Sequence, residues 1–295
     1  MPEIVEVCWL SNYLNTFKNF YIKSITSLSP KYKTTDFNML SYLKISCVNT
    51  HGKLLWFEFE NSDLILVCHF GLHGLFTHIK SNASKVEIKL ELDDKVECLY
   101  FNAQLNGSIN TISKLMLQTK LDELADDFLK TKIDENIMLN RLKVLTKNGT
   151  TKLSKKIVSV LLEQNKKESL GSGIGNYLVA EILYEAKISP HTTLESLLNE
   201  PLQIAKLAVA IIKILKHAYM TSTENYFKKI DERILSYVNS TRMSIPLEYN
   251  YYPEIVIPGI FNCKVYKKTE VEGNPVKKEK IVGSRECYWV ATDNV

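Results

Sequence analysis

The chain has 295 residues, 45% of them hydrophobic and 24% charged, which excludes a disordered or fibrous chain and suits two modest domains. No window approaches the roughly 18 consecutive apolar residues of a membrane span, and the start Met1-Pro2-Glu3 lacks the basic n-region of a secretory signal. Net charge is +4, too mild to name a polyanionic partner without local clustering. The six cysteines (Cys8, Cys47, Cys68, Cys98, Cys263, Cys287) contain no C-x-x-C pair and read as reduced thiols. Four arginines (Arg141, Arg233, Arg242, Arg285) stand against 33 lysines. Codon bias in an AT-rich genome explains that skew, yet it makes each arginine worth asking about individually.

In chain order, Ile4, Val7, Cys8, Leu10, Tyr13, Leu14 and Phe17 recur at three- and four-residue steps and predict one amphipathic helix from Glu3 to about Asn19. From about Tyr42 to Ile112 the period changes to two, with polar turns at Glu60–Asp63 and Asp93-Asp94. That pattern predicts a β-meander closing into a sandwich or barrel of antiparallel strands. Helical periods return from about Leu121 to Val238. Thr151 reads as an N-cap before Leu153, Ile157, Val158, Val160, Leu161 and Leu162. A Gly/Ser/Lys turn runs from Asn165 to Gly175, and a second helix from about Asn176 to Ala186. Beyond Ile255, Phe261–Tyr266 and Lys280–Val290 flank Gly273-Asn274-Pro275 and predict a hairpin around that turn. The expected class is α+β, divided as 1–120, 121–250 and 251–295.

Several residues have the chemistry of a site. Removal of Met1 would leave Pro2 as a secondary amine with a reference pKa of about 7.7–8.0, able to attack an aldehyde-like carbon, and Glu3 beside it could shuttle protons. Taken alone, Met-Pro-Glu is more simply a helix start, where proline is favoured. Gly171-x-Gly173-x-Gly175 before a helix invites a dinucleotide reading, which fails because the preceding element is helical rather than a strand. Two helices joined by glycine turns remain, able to grip a nucleic-acid backbone or simply to form a helical hairpin. Arg285 with Lys277, Lys278 and Lys280, and Lys264, Lys267 and Lys268 on the other predicted strand, make a basic ribbon suited to phosphates; lysines guarding a sheet edge are the alternative. Taken singly, Lys53, His69 and His73 are ordinary surface or structural residues.

Their order along the chain is more specific than any one of them. Met1-Pro2-Glu3-Ile4-Val5-Glu6-Val7, His51-Gly52-Lys53, His69-Phe70-Gly71-Leu72-His73-Gly74, and Gly173–Tyr184 with Ile188-Ser189-Pro190 resemble, in order and spacing, the formamidopyrimidine-DNA glycosylase/endonuclease VIII family. The resemblance implies an amino-terminal β-sandwich with a leading helix, a helix-two-turns-helix domain and a terminal finger. It implies a bifunctional glycosylase and abasic-site lyase of base excision repair, using β,δ-elimination without a cofactor. By the same resemblance Pro2 is the nucleophile, Glu3 the proton shuttle and Lys53 the lysine of glycosylase and strand-cleavage chemistry. Glu6 helps hold the site, Asn176 and Arg285 clamp a phosphate beside the lesion, and His69 adds a backbone contact. The partner is damaged DNA, with no membrane, and the expected protein is an intracellular monomer.

Two departures matter. The family's usual finger holds zinc with four ligands, whereas this terminal stretch has only Cys263 and Cys287 and no histidine after His217, so Gly283–Trp289 looks like the zincless finger of the endonuclease VIII-like branch and no metal is expected. The family's three void-filling side chains match Leu72, Gln104 and Asn106, of which the last two are poor substitutes; single-stranded DNA is the favoured substrate on that ground. The branch implies oxidised pyrimidines and hydantoins, although the lesion-capping stretch, about Met220 to Asn250, is unreadable from sequence. A catalytically inactive DNA-binding protein of the same fold is the competing reading.

Overall fold

A computed structural model describes residues 2–33, 35–71, 74–103, 106–147, 151–221, 231–241 and 259–291. The chain divides into two compact units: Met1–Asp122 with Thr223–Ile245, and Glu123–Ser222 with Pro246–Val295. The terminal finger thus falls in the same unit as the helices.

The first unit is an antiparallel sandwich. One sheet has the order β1 (Tyr21–Ser27), β6 (Ser84–Leu92), β7 (Lys95–Asn102), β5 (Leu75–Thr77). The other runs β2 (Ile45–His51), β3 (Leu54–Phe59), β4 (Leu64–His69), β8 (Ser108–Ser113). Strict alternation in β6 buries Ser84, Val86, Ile88 and Leu90 on one face, as a two-residue period requires. The sheets meet through an aromatic cluster in which Phe76 of β5 packs against Phe57 of β3, Phe70 and Phe101 of β7, with centroids 5.5–6.0 Å apart. Behind β3, helix α2 (Lys114–Glu123) sets Leu117 on Trp56, Ile65 and Val67.

Helix α1 (Ile4–Leu14) is buried at nine of its eleven positions, so the expected amphipathic helix is in fact hidden on nearly every side. It is also shorter than the periodicity suggested, passing at Asn15 into a single 3-10 turn. One side packs on β2 and β3, the other on α8 (Glu232–Thr241), and the polar Ser11 is admitted because its hydroxyl donates to the Val48 carbonyl at 2.8 Å. The strand β1 lies earlier than the predicted meander and completes the sheet beside β6.

In the second unit, α5 (Asn176–Ala186) packs on α4 (Ile157–Leu162) and α7 (Pro201–Thr221), burying Leu178, Val179, Ala180, Ile182, Leu183 and Ala186, while α3 (Glu135–Lys147) and α6 (Leu194–Leu198) pack on α7 and on each other. No described helix is long and apolar enough to cross a membrane. Two expectations are corrected here. Thr151 is not an N-cap: α4 begins only at Ile157, after Lys156, and the Thr151 hydroxyl donates instead to the Lys167 carbonyl at 3.3 Å. The hairpin does not turn at Gly273-Asn274-Pro275. Its long arms are β10 (Asn274–Val282) and β11 (Arg285–Val290), joined at Gly283-Ser284, and Gly273 serves only a two-residue strand, β9 (Glu270–Val271). Residues 261–266, and with them Lys264, Lys267 and Lys268, are on no strand; the N–H groups of Lys264, Val265 and Tyr266 donate instead to the Glu181 carboxylate.

Candidate active site

Strand register gathers one group of predicted residues at one end of the β2-β3-β4-β8 sheet. His51 pairs with Leu54, Leu54 with His69 and His69 with Ser108, so one row crosses all four strands. Lys53 is in the two-residue turn just beyond that row. Gly52 takes φ +57° there, a conformation that costs a side-chain-bearing residue roughly 1–2 kcal/mol. Asn106, also left-handed at φ +61°, is exposed just before β8, and its backbone hydrogen-bonds the His69 ring. Crowding of that ring pushes the His69 imidazole below the usual histidine value, the Lys53 ammonium adds to the effect and the Asn106 bond opposes it. The shift favours the neutral imidazole. Leu72 and Gln104 lie outside the described residues, as do 222–230 and 242–250 of the expected lesion-capping stretch; its middle, 231–241, holds α8.

At the head of α1, Pro2 is buried and Glu3 is the N-cap residue, 1% exposed. The Glu6 carboxylate, three residues on, accepts the Glu3 backbone N–H at 2.9 Å, the return arm of a capping box. Glu6 is thereby committed to shaping the chain entry that presents Pro2 and Glu3.

The second group lies in the other unit. Asn176 is the first residue of α5, half-buried, after Gly173 (φ +111°) and an extended Gly175. Gln164 knits the preceding loop: its carbonyl oxygen accepts the Gly173 N–H at 2.6 Å, while its amide donates to the Leu162 and Ile174 carbonyls. Exposed Arg285, at the head of β11, donates to that same Leu162 carbonyl at 3.5 Å. Arg285 and the glycine loop before Asn176 are thus tied through one carbonyl and one glutamine.

The finger is fixed by a residue that sequence reasoning missed. Glu181 of α5, 2% exposed, accepts the backbone N–H groups of Lys264 (2.8 Å), Val265 (2.9 Å) and Tyr266 (2.9 Å). Around it Ala180, Val265 and Val271 form a buried cluster flanked by Tyr184, Tyr266, Val276, Tyr288 and Val290. Its only sequence signal is a carboxylate inside the apolar run Leu178–Leu183, which is tolerated in a core only when its oxygens are satisfied. Cys287 is buried, and burial raises its thiol pKa, whereas Cys263 is half-buried. Among the described residues no group of three or more His, Cys, Asp or Glu side chains could hold a metal ion.

Comparison with known proteins bears on the same regions. The Formamidopyrimidine-DNA glycosylase N-terminal domain family matches residues 1–109. The chain is 28% identical over 214 residues to a formamidopyrimidine-DNA glycosylase of Mycoplasma genitalium, covering 69% of this chain and 71% of the relative. It is 27% identical over 179 residues to an endonuclease 8 of Pectobacterium atrosepticum, covering 59% of this chain and 63% of the relative. Its fold is shared by the Lactococcus lactis FPG protein in complex with an oxidised-pyrimidine-containing DNA, with a TM-score of 0.68 at 22% identity over 98% of both chains. The Thermus thermophilus protein of the same name superposes with a TM-score of 0.69 at 18% identity, covering 98% of this chain and 97% of the other. Residues 1–109 thus match the Formamidopyrimidine-DNA glycosylase N-terminal domain, and sandwich, helical unit and terminal hairpin together have the fold of the formamidopyrimidine-DNA glycosylases.

Proposed function

We propose that this protein is a bifunctional glycosylase and abasic-site lyase that removes oxidised bases, mainly pyrimidines and hydantoins, from DNA through Pro2. The observation that carries this reading is a buried carboxylate at the head of a buried helix: Glu3, behind Pro2, begins α1, and α1 packs on β2 and β3, the strands whose turn bears Lys53.

The steps follow from the chemistry of these groups. With Met1 removed, the Pro2 nitrogen bonds to C1′ of the damaged nucleoside as the N-glycosidic bond breaks and the base leaves with a proton. The amine gives up its own proton, and Glu3 passes a proton to O4′, so that the C1′–O4′ bond breaks and the sugar ring opens to an iminium. The resulting iminium draws electrons from C2′, whose proton is lost as the 3′ phosphate departs. A second proton loss expels the 5′ phosphate, and water then releases the sugar fragment and restores the free amine. Lys53 serves base release and strand cleavage, and His69, held by the Asn106 backbone, contacts the DNA backbone. Asn176 and Arg285 take the phosphate beside the lesion, Arg285 as a planar charged donor. The finger presents Arg285 without zinc. Glu181 and the apolar cluster around Val265 supply the anchorage that a metal would otherwise give.

The test is borohydride reduction during reaction with abasic-site and oxidised-base oligonucleotides. A covalent protein–DNA adduct is expected, and it disappears when an amino-terminal tag retains Met1. Active protein that releases bases yet is never trapped would overturn the mechanism. Single-stranded DNA is the better substrate in this reading, because Gln104 and Asn106 are poor plugs for the gap that flipping leaves in a duplex; equal or faster turnover on duplex DNA at matched salt would refute it.

A further inference from the structure

The three described arginines all hold acceptors within the protein: Arg285 the Leu162 carbonyl, Arg233 the Glu97 carboxylate, and Arg141 two groups at once. From α3, Arg141 Nη1 donates to the Leu170 carbonyl at 2.8 Å and Nη2 pairs with the Asp126 carboxylate. Its side chain is 16% exposed and that of Asp126 is 61% exposed.

Asp126 and Leu170 belong to two backbone segments laid against each other. The Lys166 N–H donates to Glu123 (2.9 Å), Ala125 N–H to Gln164 (2.8 Å), Ser172 N–H to Asp126 (2.8 Å) and Phe128 N–H to Ser172 (3.3 Å). Residues 123–128 therefore run as an outer rail along 164–172, the loop that leads into Gly173, Gly175 and Asn176. Phe128, fully buried, lies under Gly171, where a Cβ would fall 2.5 Å from its ring, so the loop approaches the rail as closely as glycine alone allows. Gln164 holds the loop from inside. Arg141 grips loop and rail together from outside both, using two arms of one rigid plane.

We infer that Arg141 is a positioning residue for the phosphate-gripping turn: by clamping the Leu170 carbonyl to Asp126 it fixes the shape in which Gly173–Asn176 meets DNA. The inference rests on the reading of Asn176 as a phosphate ligand. A lysine here would keep the charge, but its three N–H donors radiate from one nitrogen on a flexible stem and do not reproduce the rigid spacing with which two guanidinium nitrogens hold Leu170 and Asp126 together. Both arms of Arg141 are spent on the protein, which separates its role from that of a phosphate contact.

The experiment uses the full chain with Arg141→Lys, with Asp126→Asn as the milder second variant that spares the Leu170 arm, and Arg285→Gln as comparator. Hydrogen exchange of the Gly171–Gly173 amides in DNA-free protein should quicken at least tenfold in Arg141→Lys. Its Kd for a duplex carrying a tetrahydrofuran abasic analogue should rise about tenfold at every salt concentration, and that of Asp126→Asn two- to threefold. The slope of log K against log salt should stay unchanged in Arg141→Lys and fall by about one in Arg285→Gln. The single-turnover cleavage rate at saturating Arg141→Lys should remain within twofold of wild type. Unchanged exchange, unchanged Kd, or a slope reduced by about one in Arg141→Lys would each overturn the assignment. Wild-type protein that binds the analogue no better than intact DNA would instead refute the glycosylase reading, and the exchange measurement would still judge the clamp; should Arg141→Lys fail to fold, Asp126→Asn decides by the same criteria.

Discussion

Replacing Glu181 with glutamine tests whether one buried carboxylate anchors the finger. Oε1 of Glu181 accepts the N–H groups of Val265 and Tyr266, and Oε2 that of Lys264. A glutamine with its oxygen in the Oε1 position keeps two of these bonds, uncharged, and turns its amide hydrogens toward the Lys264 N–H. One charge-assisted bond, worth about 1.5–3 kcal/mol, is lost, and the two that remain lose their charge. A net loss of about 2–4 kcal/mol is expected, confined to the attachment of residues 263–290 to α5. Because each 1.4 kcal/mol is tenfold in an opening equilibrium, amide exchange at Val265 and Tyr266 should accelerate roughly 30- to 1000-fold, while α1 and β6 keep their protection. Glu181→Ala, which orphans all three donors, should be worse. Exchange at 264–266 within threefold of wild type in Glu181→Gln would mean that the apolar cluster alone holds the finger.

Gly52→Ala should cost about 1–2 kcal/mol, because its φ of +57° is disfavoured for any residue with a Cβ, and should slow borohydride trapping by displacing Lys53; urea denaturation and trapping rates check both. His78 is buried with Tyr13, Glu97, Asp231 and Arg233 around it. Burial first, then Arg233, holds its pKa below the usual value, against the pull of Asp231 and Glu97. The unfolded chain therefore binds this proton more readily than the folded one, so stability present above about pH 6.5 should drain as pH falls toward 5, by at most about 1.4 kcal/mol per pH unit from this group, and His78→Gln should flatten the slope seen in urea titrations. His69 contributes in the same sense. Burial raises Tyr13 to about 12, so its share of stability should persist to about pH 10 and vanish as pH climbs toward 12, which Tyr13→Phe would abolish. Cys68 and Cys287, buried with raised thiol pKa values, should be the slowest to react with a thiol reagent at pH 8 and should react freely in urea; rapid native modification of either would contradict their burial.

The parts of this protein that a linear reading found are those decided by neighbours in sequence. Helix α5 begins at Asn176 and ends at Ala186 because glycine turns precede it and Lys187 leaves it at φ +57°, and β6 alternates because a strand with one buried face must. The order of the Pro2, Lys53, His69 and Asn176 blocks likewise needed no coordinates. What remained hidden depends on partners distant in the chain. Helix α1 looks amphipathic by period, yet β2, β3 and α8 close over it, and no local pattern counts the surfaces that will arrive. Gly273 and Gly283 are equally plausible turns, and only the pairing of β10 with β11 chose the second. Glu181 reads as an error in an apolar stripe until three N–H groups 83–85 residues away converge on it. Arg141 reads as a surface charge until Leu170 and Asp126 come within its span. Local sequence sets caps, turns and periods through short-range sterics and hydrogen bonds. Which buried polar group is tolerable, and which carbonyl an arginine holds, is settled only when the folded chain supplies the other half of the bond.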